Sequence, residues 1–412
     1  MSEATNLTNK IEKQLPAGLV ELTQTAGLMA ASQGQSLYLV GGVVRDLLLE
    51  RPNFDLDLVV THDAEKLAQQ LAEITQGKIT IHSRFHTAKL RWNGWSADLA
   101  TARSETYQRP GALPSVKPGS LNSDLLRRDF TINTMAIELI PGRYGQLIDL
   151  YGGRDDLKNR LIRILHEMSF IDDATRIWRG LRYEQRLDFR LEANTLELLK
   201  RDIPMLDTIS GDRIRHELEL IMKEEEPEKV LLRAEELKVL PTLHPSLKGD
   251  SWLIEKFRQA RSSNSPSSAL YMALLAYRLT NEETEQFISH LNLSKSTAKT
   301  LRESNSLKGK AEALADPTLA PSYIYNLLHD YSPAAITASS LATDSPTAQK
   351  HMQTFLTRLR YARPSLTGSD LQKMGIAPGP RMKEILQRLR DARLNGKVKS
   401  KKGEAEMVRG WV

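Results

Sequence analysis

Cysteine is absent from all 412 residues. That excludes disulfides and thiolate metal sites and fits a reducing compartment, with the cytoplasm as the expected one. Long apolar runs are missing too, since none approaches the roughly 18 consecutive apolar residues a membrane span needs. The opening Met1-Ser2-Glu3-Ala4-Thr5-Asn6 has neither a basic n-region nor an apolar h-region, so no export signal is expected there. The nine histidines form no set at metal-ligand spacing. His82 and His86 are four apart, but they lie in strand-and-turn text and read as structural. No P-loop and no Ser-His-Asp arrangement can be argued. Aromatics are sparse at 6%, yet 40% hydrophobic and 26% charged residues suit a soluble globular chain with length for two to four domains.

What is present begins with Leu39-Val40-Gly41-Gly42-Val43-Val44-Arg45-Asp46, followed by Phe54-Asp55-Leu56-Asp57-Leu58. Leu37 to Val40 reads as a buried strand, and Gly41-Gly42 lets the backbone turn tightly and approach a ligand with no Cβ in the way. Amides opening the next helix would face an anion. Residues i and i+2 of a strand share a face, so Asp55 and Asp57 point the same way while Leu56 and Leu58 point into the core. Two such carboxylates raise each other's pKa unless a cation sits between them, and Mg²⁺ shared with substrate phosphates is the usual occupant. Either piece alone is also an ordinary turn or a solvated strand edge. Together and in this order they resemble the signature of the polymerase-β-like nucleotidyltransferase superfamily.

Along the chain, strand-like runs (37–40, 56–60, 78–81, 88–92, 97–100 and 136–140) alternate with helix-like ones such as 63–74 up to about residue 165. From Asp172 onward helical periodicity dominates, as in 218–223 and 228–237. Ser262 to Ser268 reads as a linker, and a softer boundary falls near Ala342 to Pro346. The expected fold class is α+β: an N-terminal α/β head with a mixed sheet, then an all-α neck, body and tail. The domain reading is 1–165 for the head, 166–260 for the neck, 261–350 for the body and 351–412 for the tail. From His351 onward 14 Lys/Arg face 5 Asp/Glu. A basic tail on a near-neutral body suggests a polyanionic partner, most simply nucleic acid.

The second cluster is Asp124-Leu125-Leu126-Arg127-Arg128-Asp129-Phe130-Thr131-Ile132-Asn133-Thr134-Met135-Ala136. Guanidinium forks grip phosphate, and Asn or Asp can bond ribose hydroxyls. Here the chain resembles the class II tRNA nucleotidyltransferase and bacterial poly(A) polymerase family, whose members carry Arg-Arg-Asp-Phe-Thr-Ile-Asn-Ala, with Thr134 where Ala is usual. Leu147 to Leu157 looks like the segment joining head to neck. Phe170-Ile171-Asp172-Asp173-Ala174-Thr175-Arg176-Ile177-Trp178-Arg179 resembles the family's Glu-Asp-x-x-Arg block, with Asp172 replacing Glu. Arg213 and Glu217 match an element thought to brace it.

Asp173 and Arg176, three apart on a helix, would project from one face toward one planar ligand edge. Cytosine and adenine both present an amine donor beside a ring-nitrogen acceptor, which a carboxylate and a guanidinium match, whereas guanine and uracil reverse the pair. Outside this context the pair is simply a surface ion pair. Asp98 is a candidate third carboxylate and equally a hydrogen-bonded strand-end Asp. Tyr107 to Pro114 is too rich in Pro and Gly for regular structure and lies where the family has a mobile loop. Thr367 to Leu371 looks like a capped helix start. Gly379-Pro380 opens another helix where Arg381 and Lys383 could hold phosphate.

The resemblance implies a metal-dependent enzyme that adds C and A residues to the tRNA 3′ end from CTP and ATP. Asp55 and Asp57 would be catalytic and hold two Mg²⁺ ions, with Asp98 a third ligand. Gly41, Gly42 and Arg45 would position the triphosphate. Arg127, Arg128, Asp129 and Asn133 would hold phosphate and ribose, and Asp173, Arg176 and Arg179 would bind the nucleotide, the first two reading the base. The helical body and basic tail would grip the tRNA acceptor arm. Partial CC- or A-adders, a poly(A) polymerase and a silent RNA-binding module are the alternatives.

Overall fold

The computed structural model describes residues 5–263 and 266–411, so Met1–Ala4 of the opening segment and the middle of the 262–268 linker lie outside it. The chain divides into two compact units, Met1–Arg213 and Ile214–Val412. That boundary falls inside the expected 166–260 segment; the finer division at 165, 260 and 350 is a proposal.

The first unit opens with helices α1 (Thr8–Gln14) and α2 (Ala17–Ser32) and then builds a seven-stranded sheet. Its elements in chain order are β1 (Leu37–Val40), α3 (Gly42–Leu48), β2 (Leu56–Val60), α4 (Ala64–Thr75), β3 (Lys78–His82), β4 (Thr87–Trp92) and β5 (Trp95–Thr101). After a separate hairpin of β6 (Arg103–Thr106) and β7 (Ser115–Pro118) and a short helix α5 (Leu121–Leu126) come β8 (Met135–Glu138) and β9 (Leu147–Asp149). The sheet order is β3-β4-β5-β2-β1-β8-β9, with β2 and β5 parallel and the other neighbours antiparallel, the expected mixed sheet.

The early strands fall where their apolar runs predict, because Leu37, Leu39, Leu56 and Leu58 bury themselves almost completely. Helix α4 starts on Asp63, whose side chain accepts from the Lys66 amide, and ends on left-handed Gln76. The 107–114 stretch is free of helix and strand, as its Pro and Gly content predicts, but it is carried on the β6–β7 hairpin, which the sequence reading missed.

One face of the sheet positions the site. Val40, Val59, Ala102, Leu125 and Ala136 form a buried cluster, so Leu125 seats α5 on the sheet just before Arg127. Phe130, fully buried, meets Tyr183 edge-on at 5.9 Å. Tyr183 belongs to α8 (Thr175–Leu187), which follows α6 (Gly153–Asn159) and the one-turn α7 (Ser169–Asp172). Trp178, Ile177 and Leu181 bury the inner face of α8 and leave Arg176, Arg179 and Tyr183 facing the cavity described below.

The second unit is helical. The 268–276 helix is buried along nearly its whole length. One apolar cluster runs from Leu307 to Leu359 and another from Leu366 to Val408. Thr367 and Asp370 form a capping box, and Gly379-Pro380 opens the helix Pro380–Leu394, both as read from the sequence. No helix among the described residues is long and apolar enough to cross a membrane.

Candidate active site

A cavity of about 570 Å³ in the first unit gathers Gly41, Gly42, Asp57, Asp98, Arg127, Arg128, Asp129, Asn133, Asp173, Arg176 and Arg179. Residues from 41 to 179 thus meet at one place.

Gly41 ends β1 with φ +78°, a conformation that β-carbon-bearing residues avoid. A Cβ there would stand 3.0 Å from Arg128 Nη1 and 3.2 Å from Asp57 Oδ2, so the turn is tight on both counts. Asp57 lies half-buried on β2, in register with Asp98 on parallel β5. Burial foremost pushes the Asp57 carboxyl up to about 6; Asp98 and Asp55 add to the rise, while Arg128 and Lys89 oppose it. Asp55, expected on the same strand face as Asp57, instead falls just before β2, is exposed and does not line this cavity; its amide donates to Asn53 Oδ1 at 3.0 Å. Asp98 faces the same side but accepts from Lys89 Nζ at 2.8 Å. Among the described residues the three carboxylates form no ready-made three-ligand cluster.

The arginines are held from behind by carboxylates that sequence reading had not singled out for this role. Fully buried Asp124 accepts from Arg127 at 2.7 and 3.0 Å and from Arg128 at 3.1 Å. Glu105, on β6, accepts from Arg103, Arg127 and Tyr107. Burial, then Glu105, pushes the Tyr107 hydroxyl up to about 12. The signal available in the sequence was the i,i+3 and i,i+4 spacing of Asp124 to the two arginines.

Beneath them runs a buried polar chain. Arg45 forks onto Asp46 with two 2.8 Å bonds and donates to Asn133 Oδ1 at 2.8 Å. Burial acts to lower the Arg45 pKa, but Asp46 and Tyr183 more than offset it, so Arg45 stays charged. Its guanidinium is therefore committed to the protein. Asn133 donates to Asp129 Oδ1 at 3.0 Å, and Asp129 Oδ2 pairs with Arg179 at 2.7 Å. Burial works against ionising Asp129, yet Arg179, Asn133, Arg176 and the Phe130 amide together hold its carboxyl below the usual range.

The expected helical placement of Asp173 is corrected by the structure. Asp173 is extended (φ −145°, ψ 96°) between α7 and α8. Its Oδ1 accepts from the Thr175 amide at 3.0 Å and hydroxyl at 2.6 Å, because a short carboxylate competes well for the free donors at a helix start. Arg213 pairs with the same oxygen at 2.8 Å, in agreement with the bracing role expected of it. Arg176 is in α8 and 4% exposed; it donates to the Ser169 hydroxyl at 2.6 Å and to the Arg127 carbonyl at 2.7 Å. Asp173 and Arg176 still line one cavity, joined by a turn instead of a helical face. Asp172 lines an adjoining space of about 410 Å³ with Tyr107, Arg127, His166 and Arg176.

Arg381 and Lys383 are exposed on the first turn of Pro380–Leu394, in the second unit. Lys383 lines a cavity of about 650 Å³ with Tyr325, His329, Arg363 and Arg390; Arg381 does not.

The donors near Asp57 suit a hard divalent cation: a carboxylate whose pKa is raised first by burial and further by Asp98 and Asp55, beside a glycine that keeps a Cβ out of the space next to it.

Comparison with known proteins identifies the family. A family described as the poly A polymerase head domain matches residues 37–163, and one described as a probable RNA and SrmB-binding site of polymerase A matches 188–250. An A-adding tRNA nucleotidyltransferase of Halalkalibacterium halodurans is 33% identical, covering 98% of this chain and 95% of the relative. Another, from Geobacter sulfurreducens, is 32% identical over 97% of this chain, which spans only 48% of that longer relative. An apo CCA-adding enzyme superimposes with a TM-score of 0.83 at 29% identity, covering all of both chains. The Thermotoga maritima CCA-adding enzyme complexed with tRNA gives 0.78 at 28% identity, covering 100% and 99%. With a head-domain match from Gly41 through Asn133 of the site and a relative one-third identical along nearly its whole length, the chain belongs to the tRNA nucleotidyltransferase family.

Proposed function

We propose that this chain adds A to the 3′ end of tRNA from ATP without a nucleic-acid template. The observation that carries the reading is the single cavity that holds both the Asp57 carboxylate and the Asp173–Arg176 pair. The choice of A follows the two A-adding relatives, at 32% and 33% identity.

In this reading the RNA 3′-oxygen forms a bond to the α-phosphorus of the nucleotide as the bond to pyrophosphate breaks. Asp55 and Asp57 would hold Mg²⁺, which when bound activates the hydroxyl and neutralises the triphosphate and departing pyrophosphate. Gly41 and Gly42 let the triphosphate approach the backbone. Arg127 and Arg128, oriented by Asp124, grip its phosphates. Arg128 lines the same cavity as Gly41 and Asp57. Asp129 and Asn133 are pre-set by Arg179 and Arg45 to meet the ribose. The adenine amine donates to Asp173, and its ring nitrogen accepts from Arg176. Arg45 thus acts by holding Asn133. Asp98, anchored to Lys89, contributes negative potential beside Asp57. The Ile214–Val412 unit, with Arg381, Lys383 and the basic 650 Å³ cavity, would hold the RNA backbone. A cytoplasmic location fits this substrate.

The test uses one tRNA in three forms, lacking CCA, ending in C-C, or complete, each with Mg²⁺ and labelled CTP or ATP. A single A on the C-C form alone is expected. Three additions to the bare form would make the protein a full CCA-adder, C-C only on the bare form a CC-adder, and long A tracts a poly(A) polymerase. Tight RNA binding with no incorporation would overturn the catalytic reading.

A further inference from the structure

Asp55 is not held by the sheet. It falls one residue before β2, at the end of the exposed connection from α3, and its own side chain is exposed. A carboxylate that must meet a metal beside Asp57 needs something else to fix its backbone. Asn53 does this from two sides. Its Oδ1 accepts from the Asp55 amide at 3.0 Å, and its Nδ2 donates to Asp46 Oδ2 at 2.7 Å. Asp46 is immobile: it is 6% exposed and gripped by both arms of the buried Arg45 guanidinium. Asn53 also lies directly over the glycine turn, where a Cβ on Gly42 would meet its Nδ2 at 3.6 Å. The connection is thereby tied to the helix that follows the Gly41-Gly42 turn, the other half of the phosphate-binding end of the cavity.

We propose that Asn53 is a positioning residue for the reaction: tethered to Asp46, it fixes the Asp55 backbone just ahead of β2, the strand that carries Asp57. The amide group suits the task because it must accept from one partner and donate to the other. A carboxylate there would repel Asp46, and a hydroxyl is too short to span both. The inference rests on the proposed reaction only for its consequence in catalysis. The tether itself is a property of the chain alone.

The experiment compares wild type with Asn53→Ala and Asn53→Ser on the full-length protein. The metal-free readout is hydrogen exchange of the segment around 53–57. Loss of one ordinary hydrogen bond should speed exchange at Asp55 by roughly fivefold in Asn53→Ala, with the β2 amides and the second unit unchanged. Asn53→Ser can keep the local bond to Asp55 but not the link to Asp46, so it should retain protection at the Asp55 amide while sharing the catalytic defect. The second readout is single-nucleotide incorporation against Mg²⁺ concentration. Both variants should need about fivefold or more Mg²⁺ for half-maximal rate, with the KM for nucleotide within about twofold of wild type, since the phosphate and base contacts are untouched. Unchanged Asp55 exchange in Asn53→Ala, or a wild-type Mg²⁺ midpoint in both variants, would overturn the proposal. So would an equal loss at every Mg²⁺ concentration accompanied by a lowered Tm, the mark of a merely structural residue. Failure of the proposed function is distinguishable, because wild type itself would then incorporate nothing while the exchange difference persisted.

Discussion

Arg179→Met isolates the energetics of the buried chain beneath the nucleotide cavity. Asp129 is 4% exposed and carries a full charge held by Arg179 at 2.7 Å, the Phe130 amide at 2.8 Å and the Asn133 amide at 3.0 Å. Breaking a fully buried pair costs about 3–5 kcal/mol. The Arg179 side chain is 34% exposed and two donors to Asp129 survive, so screening reduces the expected loss to about 2–3 kcal/mol. For a unit of this size, that lowers Tm by roughly 4–12 °C. The pH dependence has a definite sign. In wild type the Asp129 pKa is depressed below its ordinary 3.8, so its ionisation contributes stability that is present above 3.8 and lost as pH falls through the lower folded value. In the variant the folded pKa rises, so the deficit relative to wild type is largest at neutral pH. It shrinks as acid protonates Asp129 and leaves only the lost packing of the Arg179 stem. Thermal unfolding by circular dichroism from pH 8 down to about pH 2.5, below the ordinary 3.8, reads this directly. Adding Asp129→Asn to Arg179→Met should recover at least about 1 kcal/mol of the loss at pH 7, because the uncompensated charge is gone. A loss under about 0.5 kcal/mol, or one identical at every pH, would refute the claim that the pair is electrostatically held.

Gly41→Ala forces a left-handed alanine at about 1–2 kcal/mol and presses its Cβ on Arg128 and Asp57, so incorporation should fall at least about tenfold with modest change in Tm. Arg213→Ala removes the ion pair that orients Asp173, and the preference for ATP over GTP should drop about tenfold in competition assays; an unchanged ratio would remove Arg213 from base selection. Asp124→Ala leaves Arg127 and Arg128 without their shared buried anchor, which should raise the nucleotide KM more than it lowers kcat and destabilise the first unit by about 2–4 kcal/mol. In the second unit, fully buried Glu404 accepts from the Ser365 and Leu366 amides and from Arg393; Glu404→Ala should cost about 3 kcal/mol, seen as faster hydrogen exchange confined to the 365–409 segment.

The buried chain from Asp46 through Arg45, Asn133 and Asp129 to Arg179 is the basis of the Arg179→Met prediction. It contains two arginines and two aspartates with an asparagine between them, and every link is a hydrogen bond or ion pair between 2.7 and 3.0 Å. Asn133 is oriented by the charge on either side of it, accepting from one and donating to the other. Such networks hold a unique geometry when every member is satisfied and lose it abruptly when one is removed.

Local rules made much of this protein readable from its residues. Alternating leucines placed β1 and β2 within a residue, two adjacent glycines announced a tight turn, and of the carboxylates of Asp55-Leu56-Asp57 read on one strand face, Asp57 lies on β2 while Asp55 falls just before it. Capping residues located the helices near Thr367 and Gly379. These signals act within a few residues, where φ/ψ preference and side-chain period decide the outcome. Partner choice among the charged groups was settled elsewhere. Arg45 bonds Asn133 across 88 positions, Arg176 reaches the Arg127 carbonyl across 49, and Asp98 takes Lys89 from the neighbouring strand. Asp173 stands outside the helix with its carboxylate taken by Thr175 and Arg213, and Asn53 bonds Asp46 across the connection from α3 to β2. The sequence by itself determined the elements and the chemistry offered at their ends. The tertiary structure alone decided which charge meets which, because a guanidinium pairs with whichever carboxylate packing and burial bring within about 3 Å, and sequence separation does not encode that distance.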